Sequence, residues 1–431
     1  MLHIKFIREN TELIRNDLRK RRDDAKLKAL DKLLSLDSKV RELKREIQGL
    51  RTERNRVSRE IGKLKKAGKD TTALTKEANR VNREIKTTED ETGRLEEELR
   101  LIQMSIPNIL HESVPYGESD EDNQTMREWG RKPQFDFQIQ SHVDLLEHLD
   151  VADIPRAAKI AGSRFYYLKN ELVLLDLAMQ RMALDMLLAK EYTPIYPPFM
   201  MRRAPYEGVT DLADFQDVMY KIEGEDLYLI ATSEHPIAAM YMGDIFEPGD
   251  LPIKFAGVSA CFRKEAGTHG KDTKGIFRVH QFSKVEQFVF SHPDDSWNSL
   301  EELIQNEEEF VQALKLPYRI VNVCTGDMGT VAAKRYDLEF WMPGQSTYRE
   351  GGSCSNCTAY QATGLDIKYR IKKGGTEKDY LHTLNSTMMA NPRNLVAILE
   401  NCQKEDGSVV IPKALHKYLP SDMREILPRR K

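Results

Sequence analysis

Proline does not occur in residues 1–106, and its return at Pro107 marks a sharp change of composition. A stretch that long without a helix breaker is free to remain helical. Cysteine is scarce as well. Five in 431 residues cannot build a disulfide framework and predict a reducing, cytoplasmic setting. No apolar run approaches the ~20 residues that span a bilayer, so a membrane partner is excluded. The opening MLHIKFIREN has neither an apolar signal core nor an Arg/Ser-rich transit character. A formal net charge of −3 offers no global basic field, so any contact with nucleic acid must be local. The GKDT at Gly68 is not a phosphate-binding loop: that pattern needs Gly and Ser/Thr where Lys63 and Asp70 stand. No Ser-His-Asp or Cys-His pattern supplies a side-chain nucleophile.

What the proline-free region holds is a rhythm. Leu33, Leu36, Val40, Leu43, Ile47 and Leu50 alternate in steps of three and four, resuming at Val57, Ile61 and Leu64 after one interruption at Arg54. Beyond the polar KAGKDTT the rhythm restarts at Leu74 and runs through Ala78, Val81, Ile85, Thr88, Thr92, Leu95 and Leu99 to Ile102. A period of 3.5 specifies a coiled-coil seam. Two such helices about a Gly68 turn predict one antiparallel hairpin, with a helix of ~38 residues reaching on the order of 57 Å. A dimerisation coiled coil fits this pattern. So does a phosphate-binding arm, because Arg51, Arg56, Arg59, Lys63, Lys65, Lys66 and Lys69 crowd the tip and flanks.

Residues 111–132 are acidic and polar and predict a linker. Beyond them, 172–190 predict an apolar helix that the Pro-rich YTPIYPPF terminates. Strands are expected at 227–231, 254–262, 276–290, 318–324, 335–341 and 379–385, several joined by hairpin-length turns. The fold class is therefore α+β, an antiparallel sheet flanked by helices behind a long helical hairpin. Three domains are expected: an arm over 1–110, the linker over 111–132 and a catalytic body over 133–431.

Two segments of the body carry chemistry. In FRKEAGTHGKDTKGIFRVHQF (262–282), Val258, Ala260 and Phe262 share one face, and Arg263 and Glu265 the other. After the loop, alternation puts Phe277, Val279, Gln281, Val285 and Val289 on one side. It puts Arg278, His280, Phe282, Lys284 and Glu286 opposite them. A strand face crowded with Arg, His, Lys and Glu around one aromatic predicts the floor of a polar pocket. In ANPRNLVAILEN (390–401), Asn391 is placed to cap a helix whose first residue is Pro392. Arg393 then sits in the first turn, where the helix dipole favours anions. Either it is simply solvated or a ligand supplies its counter-charge or a π-face.

Taken together, these segments resemble the seryl-tRNA synthetases, a class II aminoacyl-tRNA synthetase family, over nearly the whole chain. FRKE…FRVHQF resembles class II motif 2, ANPRNLVAILEN motif 3, and EYTPIYPPF, with Pro198, the dimer-forming motif 1. TSE (232–234) and REGGSCSN (349–356) are similar to seryl-specific signatures. The N-terminal hairpin resembles the family's tRNA-binding arm. The resemblance implies a two-step ligase: L-serine and ATP give seryl-adenylate, and the seryl group then passes to the 3′ end of tRNA-Ser, with tRNA-Sec left open as a second acceptor. It implies an ATP site of Arg263, Lys264, Glu265, Val279, His280, Gln281, Phe282, Glu350, Gly351, Gly352, Ser353 and Arg393. Arg263 would be the catalytic residue on the α-phosphate and Glu265 would meet the adenine amino group, while Phe282 and Arg393 would sandwich the ring. The implied serine site is Thr232, Ser233, Glu234 and Arg263 with Glu286, Asn385 and Thr387. Mg2+ would be held with ATP by Glu350 and Ser353, the loop at 268–275 would close over ATP, and the chain would be a homodimer.

Other readings remain. A related ligase that loads a carrier protein would lack the long arm, and an inactive RNA-binding paralogue would have no need of Arg263, Glu265, Glu350 and Arg393. Ser283, Met388, Met389, Pro392 and YQATGLD (360–366) depart from the family pattern. Cys354 and Cys357 form a CxxC without a second pair at metal spacing, which predicts no zinc.

Overall fold

The computed structural model describes residues 1–211, 218–265 and 274–429. The chain divides into two compact units, one of residues 4–106 and one of residues 1–3 with 107–431.

The smaller unit is built on a hairpin of α1 (Asp24–Lys66) and α2 (Thr72–Ser105), of 43 and 34 residues. At 1.5 Å per residue these reach about 65 and 51 Å. Asp23 caps α1 by accepting from the Lys26 N–H at 2.9 Å. Gly68 turns the chain with φ +67°, a left-handed conformation that glycine adopts without penalty. Leu33, Val40, Leu43, Ile47 and Val57 from α1 are buried, as are Val81, Ile85 and Thr92 from α2, following the 3.5-residue period. Much of the flanking charge is spent across the seam. Lys32 meets Glu98 at 2.6 Å, Lys39 meets Glu91 at 2.9 Å, Arg51 meets Glu89 at 2.7 Å and Arg56 meets Glu77 at 3.1 Å. Arg51 and Arg56 therefore staple the hairpin, whereas Lys63, Lys65, Lys66 and Lys69 near the turn are exposed.

The larger unit is an eight-stranded sheet. Its strands are β1 (Gln124–Trp129), β2 (Thr193–Ile195), β3 (Ile253–Phe262), β4 (Gln281–Ser291), β5 (Tyr318–Asn322), β6 (Lys334–Met342), β7 (Thr347–Asn356) and β8 (His382–Ala390). Their spatial order is β1-β5-β6-β7-β8-β4-β3-β2. Every pairing is antiparallel except β2 with β3. Helices α3 (Asn170–Leu188), α4 (Ser296–Leu314), α5 (Tyr360–Leu365) and α6 (Asn391–Asn401) pack around it. The α+β class expected from sequence is the one observed.

Several boundaries differ from expectation. The stretch taken as a linker contributes β1, an edge strand paired with β5. The strand expected from residue 276 begins at Gln281, so alternation does not govern 276–280. The strand expected at 379–385 is two elements, a short Lys378–Tyr380 strand in a separate sheet and then β8. Strand β7 lay outside every expected strand, because its Gly-Gly-Ser run has low β-propensity.

Alternation within β4 organises the core. Val285 and Val289 enter the main apolar cluster with Leu175, Met179, Leu303 and Leu395. Between them the Gln287 amide donates to the Leu303 carbonyl of α4 at 3.1 Å. On the other side, Phe288 and Phe290 join a second cluster with Tyr206, Ile230 and Ile237. Removing the Phe288 ring, which is fully buried, should cost about 3–5 kcal/mol. Phe288→Ala should therefore lower the melting temperature markedly, while Ile160→Ala at a 72 % exposed position should stay within ~0.5 kcal/mol of wild type.

Candidate active site

Below the Phe288–Phe290 cluster, the same side of β4 turns polar. Phe282, Lys284 and Glu286 line an open cleft together with Thr232, Glu234, Arg263, Glu265, Glu350, Asn385, Thr387 and Arg393.

Arg263 follows the end of β3 and is pinned on three sides. Its N–H donates to the His280 carbonyl at 2.9 Å, its own carbonyl lies 2.9 Å from His280 Nδ1, and its Nε donates to the Ala231 carbonyl at 3.2 Å. The terminal guanidinium carbon lies 5.3 Å from the Phe282 ring centre. Glu265 stands at φ +48°. Arg278 donates to its carboxylate and Arg164 to its carbonyl, both at 2.8 Å. Residues 266–273, most of the loop expected to cover ATP, lie outside the described residues.

Strand β7 brings Glu350, Gly351, Gly352 and Ser353 to the cleft. Both glycines are required by close approach. A Cβ on Gly351 would lie 2.4 Å from the Phe340 ring, and one on Gly352 would lie 2.2 Å from Glu307 Oε1. Glu350 Oε1 pairs with Arg393 Nη1 at 2.9 Å. Arg393, helped by Arg335, holds that carboxyl down at about 2 against the cost of burial. Asp337, opposite Ser353 in the β6–β7 register, is pushed up to about 7 by burial, although Arg335 grips it with two hydrogen bonds of 2.9 and 2.8 Å. Arg393 therefore has a protein counter-charge, which corrects the expectation that only a ligand or solvent would supply one. Its guanidinium carbon lies 5.7 Å from the Phe277 ring centre.

Two further carboxylates, Glu234 and Glu286, line the cleft. Glu286 forms an ion pair with Lys284, and burial raises its carboxyl while Lys284 opposes that shift. Glu234 is raised to about 7, by burial first and then by Glu286. Thr232 Oγ1 accepts from the Glu234 N–H at 3.2 Å. Thr387 faces Glu286 in the β8–β4 register, and Asn385 donates to Cys357 Sγ at 3.5 Å.

Of the residues expected at the site, Arg263, Glu265, Val279, Phe282, Glu350, Gly351, Gly352, Ser353, Arg393, Thr232, Glu234, Glu286, Asn385 and Thr387 line the one cleft. Lys264, Ser233, His280 and Gln281 do not. The Lys264 N–H goes to the Val218 carbonyl, Ser233 is fully buried against Gly257, His280 braces Arg263, and Gln281 is exposed. Arg278 and Lys284, placed by alternation on the polar face expected to floor a pocket, line the cleft too. Phe277, Ala390 and Pro392 also line it without having been assigned to the site. Phe277 was not readable, because the chain bends before β4 and breaks the alternation. Asn391 does not cap α6, which has no side-chain cap; the Asn394 side-chain Oδ1 accepts from the Ala390 N–H at 3.0 Å, and Asn391 accepts from the Ser283 N–H at 3.2 Å. Met388 and Met389 are buried core. Cys354 and Cys357 are buried free thiols, and among the described residues no three His, Cys, Asp or Glu gather to hold a metal.

Comparison with known proteins matches both units. Residues 1–110 match the Seryl-tRNA synthetase N-terminal domain, and residues 219–402 match the tRNA synthetase class II core domain (G, H, P, S and T). A serine–tRNA ligase of Methanoculleus marisnigri is 57% identical over 419 residues, covering 97% of this chain and 99% of that protein. Among solved structures, a seryl-tRNA synthetase from Pyrococcus horikoshii complexed with ATP is 50% identical with a TM-score of 0.90, covering 100% of both chains. The cytoplasmic serine–tRNA ligase of Naegleria fowleri in complex with AMP is 38% identical with a TM-score of 0.83, covering 98% of this chain and 96% of that one. A polar cleft on an antiparallel sheet, a self-paired helical hairpin and identity at this level along the whole length have one explanation: the chain belongs to the seryl-tRNA synthetase family.

Proposed function

We propose that this chain joins L-serine to ATP in the cleft, giving seryl-adenylate and diphosphate, and passes the seryl group to the 3′ end of tRNA-Ser. The observation that carries the reading is the convergence of cations and carboxylates in one cleft: Arg263, Lys284 and Arg393 with Glu234, Glu286 and Glu350. In the first step the serine carboxylate attacks the α-phosphorus and diphosphate leaves. Arg263, already pinned by His280 and Ala231, needs no reorganisation to stabilise the charge that gathers there. The Phe282 ring and Arg393 supply the faces between which adenine would stack once the nucleotide enters. Glu234 receives the serine ammonium, and Glu286, Asn385 and Thr387 receive the hydroxyl. Buried groups left unpaired by alanine would reject it. In the second step a ribose hydroxyl of the tRNA attacks the seryl carbonyl carbon and AMP departs.

Magnesium is proposed with ATP. Glu350 and Ser353 offer hard oxygen donors on one strand of the cleft, and Arg393 keeps Glu350 ionised, so the donor set fits that ion. Bound there, it would neutralise phosphate charge, with Glu350 shared between the ion and Arg393. No zinc is proposed. We also assign residues 1–110 as the tRNA-binding arm and the cytoplasm as the site of action, a setting that suits five free cysteines. The assembly is proposed to be a homodimer. Leu174, Leu177 and Leu188 of α3 and Tyr196 beyond it are exposed apolar residues, and a partner copy would cover them.

Three outcomes are expected. Arg263→Ala should lower serine-dependent exchange of diphosphate into ATP by at least ~100-fold with an unchanged melting curve; exchange near the wild-type rate would remove Arg263 from the site. Replacing Lys63, Lys65, Lys66 and Lys69 with Gln should weaken tRNA-Ser binding and flatten its salt dependence, while serine activation without tRNA stays level. Unaltered tRNA binding would leave the hairpin as a structural coiled coil. Finally, Leu177→Asp with Tyr196→Asp should bring the sedimenting mass down to the 49.7 kDa of one chain, and an undisturbed dimer would put the interface elsewhere.

A further inference from the structure

The proposed serine site leaves one buried amide unexplained. Gln361 lies on α5 within YQATGLD, the segment noted above for its departures, and it is fully buried, as is Thr383 on β8. The Gln361 Nε2 donates to Glu234 Oε1 at 2.7 Å and to the Val209 carbonyl at 3.2 Å. Its Oε1 accepts from Thr383 Oγ1 at 2.7 Å. Two acceptor-only partners, the Glu234 carboxylate and the Val209 carbonyl, tell the two ends of the amide apart. They require the NH2 on their side, since turned over the amide would set its carbonyl against both; the Thr383 hydroxyl then donates to Oε1 and holds that orientation.

We propose that Gln361 and Thr383 are positioning residues for the substrate's amino group, fixing the Glu234 carboxylate so that its remaining acceptor capacity faces the cleft. This rests on the assignment of Glu234 to the serine ammonium. Neither residue touches substrate; both act through Glu234. The electrostatics agree with the geometry. Burial and the neighbouring Glu286 raise the Glu234 carboxyl to about 7, against Lys284, the Gln361 hydrogen bond and Arg263, which favour the ionised form. Glu286 and Lys284 come from β4, Arg263 from the end of β3, and Gln361 from α5. Cys357 and Tyr206 also feel its charge. A group poised near neutrality has no margin, so one donor more or less decides whether it is a carboxylate at working pH. The sign follows. An ammonium needs the ionised form, so kcat/KM for serine should rise with pH through the Glu234 titration. Removing the donor moves that rise to higher pH.

The test is diphosphate exchange by the full chain, read as KM for serine, KM for ATP and the pH profile of kcat/KM. Gln361→Met keeps the bulk without the donor. It should raise KM for serine about tenfold, as expected for one charge-assisted hydrogen bond, and move the acid limb up by about one pH unit, with KM for ATP unchanged. Thr383→Val should do the same in part, and Thr383→Ser, which restores the hydroxyl, should bring both readouts back. If Gln361→Met proves unstable, the threonine pair carries the comparison. Glu234→Gln separates the two readings. If it raises KM for serine while Gln361→Met and Thr383→Val change neither KM nor the limb, the positioning role is overturned alone. If Glu234→Gln leaves KM for serine at the wild-type value, the ammonium assignment falls and this inference falls with it.

Discussion

Ionised groups that cannot move apart govern this site. Glu234, Glu286 and Glu350 share one cleft with Arg263, Lys284 and Arg393, and taking each from water costs several kcal/mol. The cost is tolerable only because opposite charges alternate at short range: Glu350 on Arg393 at 2.9 Å and Glu286 against Lys284. The consequence is uneven. Glu350, with Arg393 in contact and Arg335 behind, stays ionised at about 2, while Glu234, with a carboxylate neighbour and a neutral amide, sits at about 7. Two carboxyls in one cleft thus differ by several pH units through placement alone, the condition for giving them different work.

Such placement demands a support that does not yield, and the sheet provides it from behind. Glu307 on α4 reaches the back of β7 so closely that Gly352 cannot carry a side chain, and its carboxyl lies 3.4 Å from Ser386 Oγ on β8. Burial, with Asp337 and Glu286 nearby, pushes that carboxyl well up. Phe340 closes on Gly351 in the same way. Low β-propensity in β7 is therefore the cost of bringing an aromatic ring and a carboxylic acid into contact with the strand that carries Glu350 and Ser353.

This trade explains what could be read from the chain and what could not. Regular periodicity was legible. The 3.5-residue seam from Leu33 to Ile102 is the hairpin observed, and the polar side of β4 at Phe282, Lys284 and Glu286 borders the cleft. Where local pattern and tertiary contact disagree, the pattern misled. Strand β7 was invisible because glycine carries no signal of the neighbours that require it. Residues 276–280 broke alternation because the chain bends there, bringing Phe277 and Arg278 to the cleft beside Phe282. Asn391 looked like a cap, yet α6 has no side-chain cap; Asn394 Oδ1 accepts from the Ala390 N–H, and Asn391 accepts from the Ser283 N–H of β4. Gln361 and Thr383 had no local signal at all, since their meaning is a contact across 22 residues of chain.

The hairpin solves the opposite electrostatic problem. On the cleft, charge is buried and its partner is fixed; on the hairpin, charge is exposed and screened, and an isolated surface pair contributes little. Cross-seam pairs such as Arg51–Glu89 and Arg56–Glu77 therefore serve register more than stability, since a slip of one heptad would bring them out of reach. They also lower the free positive charge along the shaft. What remains concentrated is the lysine group at Lys63, Lys65, Lys66 and Lys69, exposed beside the Gly68 turn. A polyanion approaching such a hairpin meets cross-seam ion pairs along the shaft and exposed lysines beside the turn. Exposed lysines contact phosphates without reading bases, and the flanking pairs limit where those contacts can form. Discrimination by the proposed arm would thus come from where an RNA can place its backbone, a property of its shape, while the chemistry of the amino acid is judged in the other unit by groups that cannot relax.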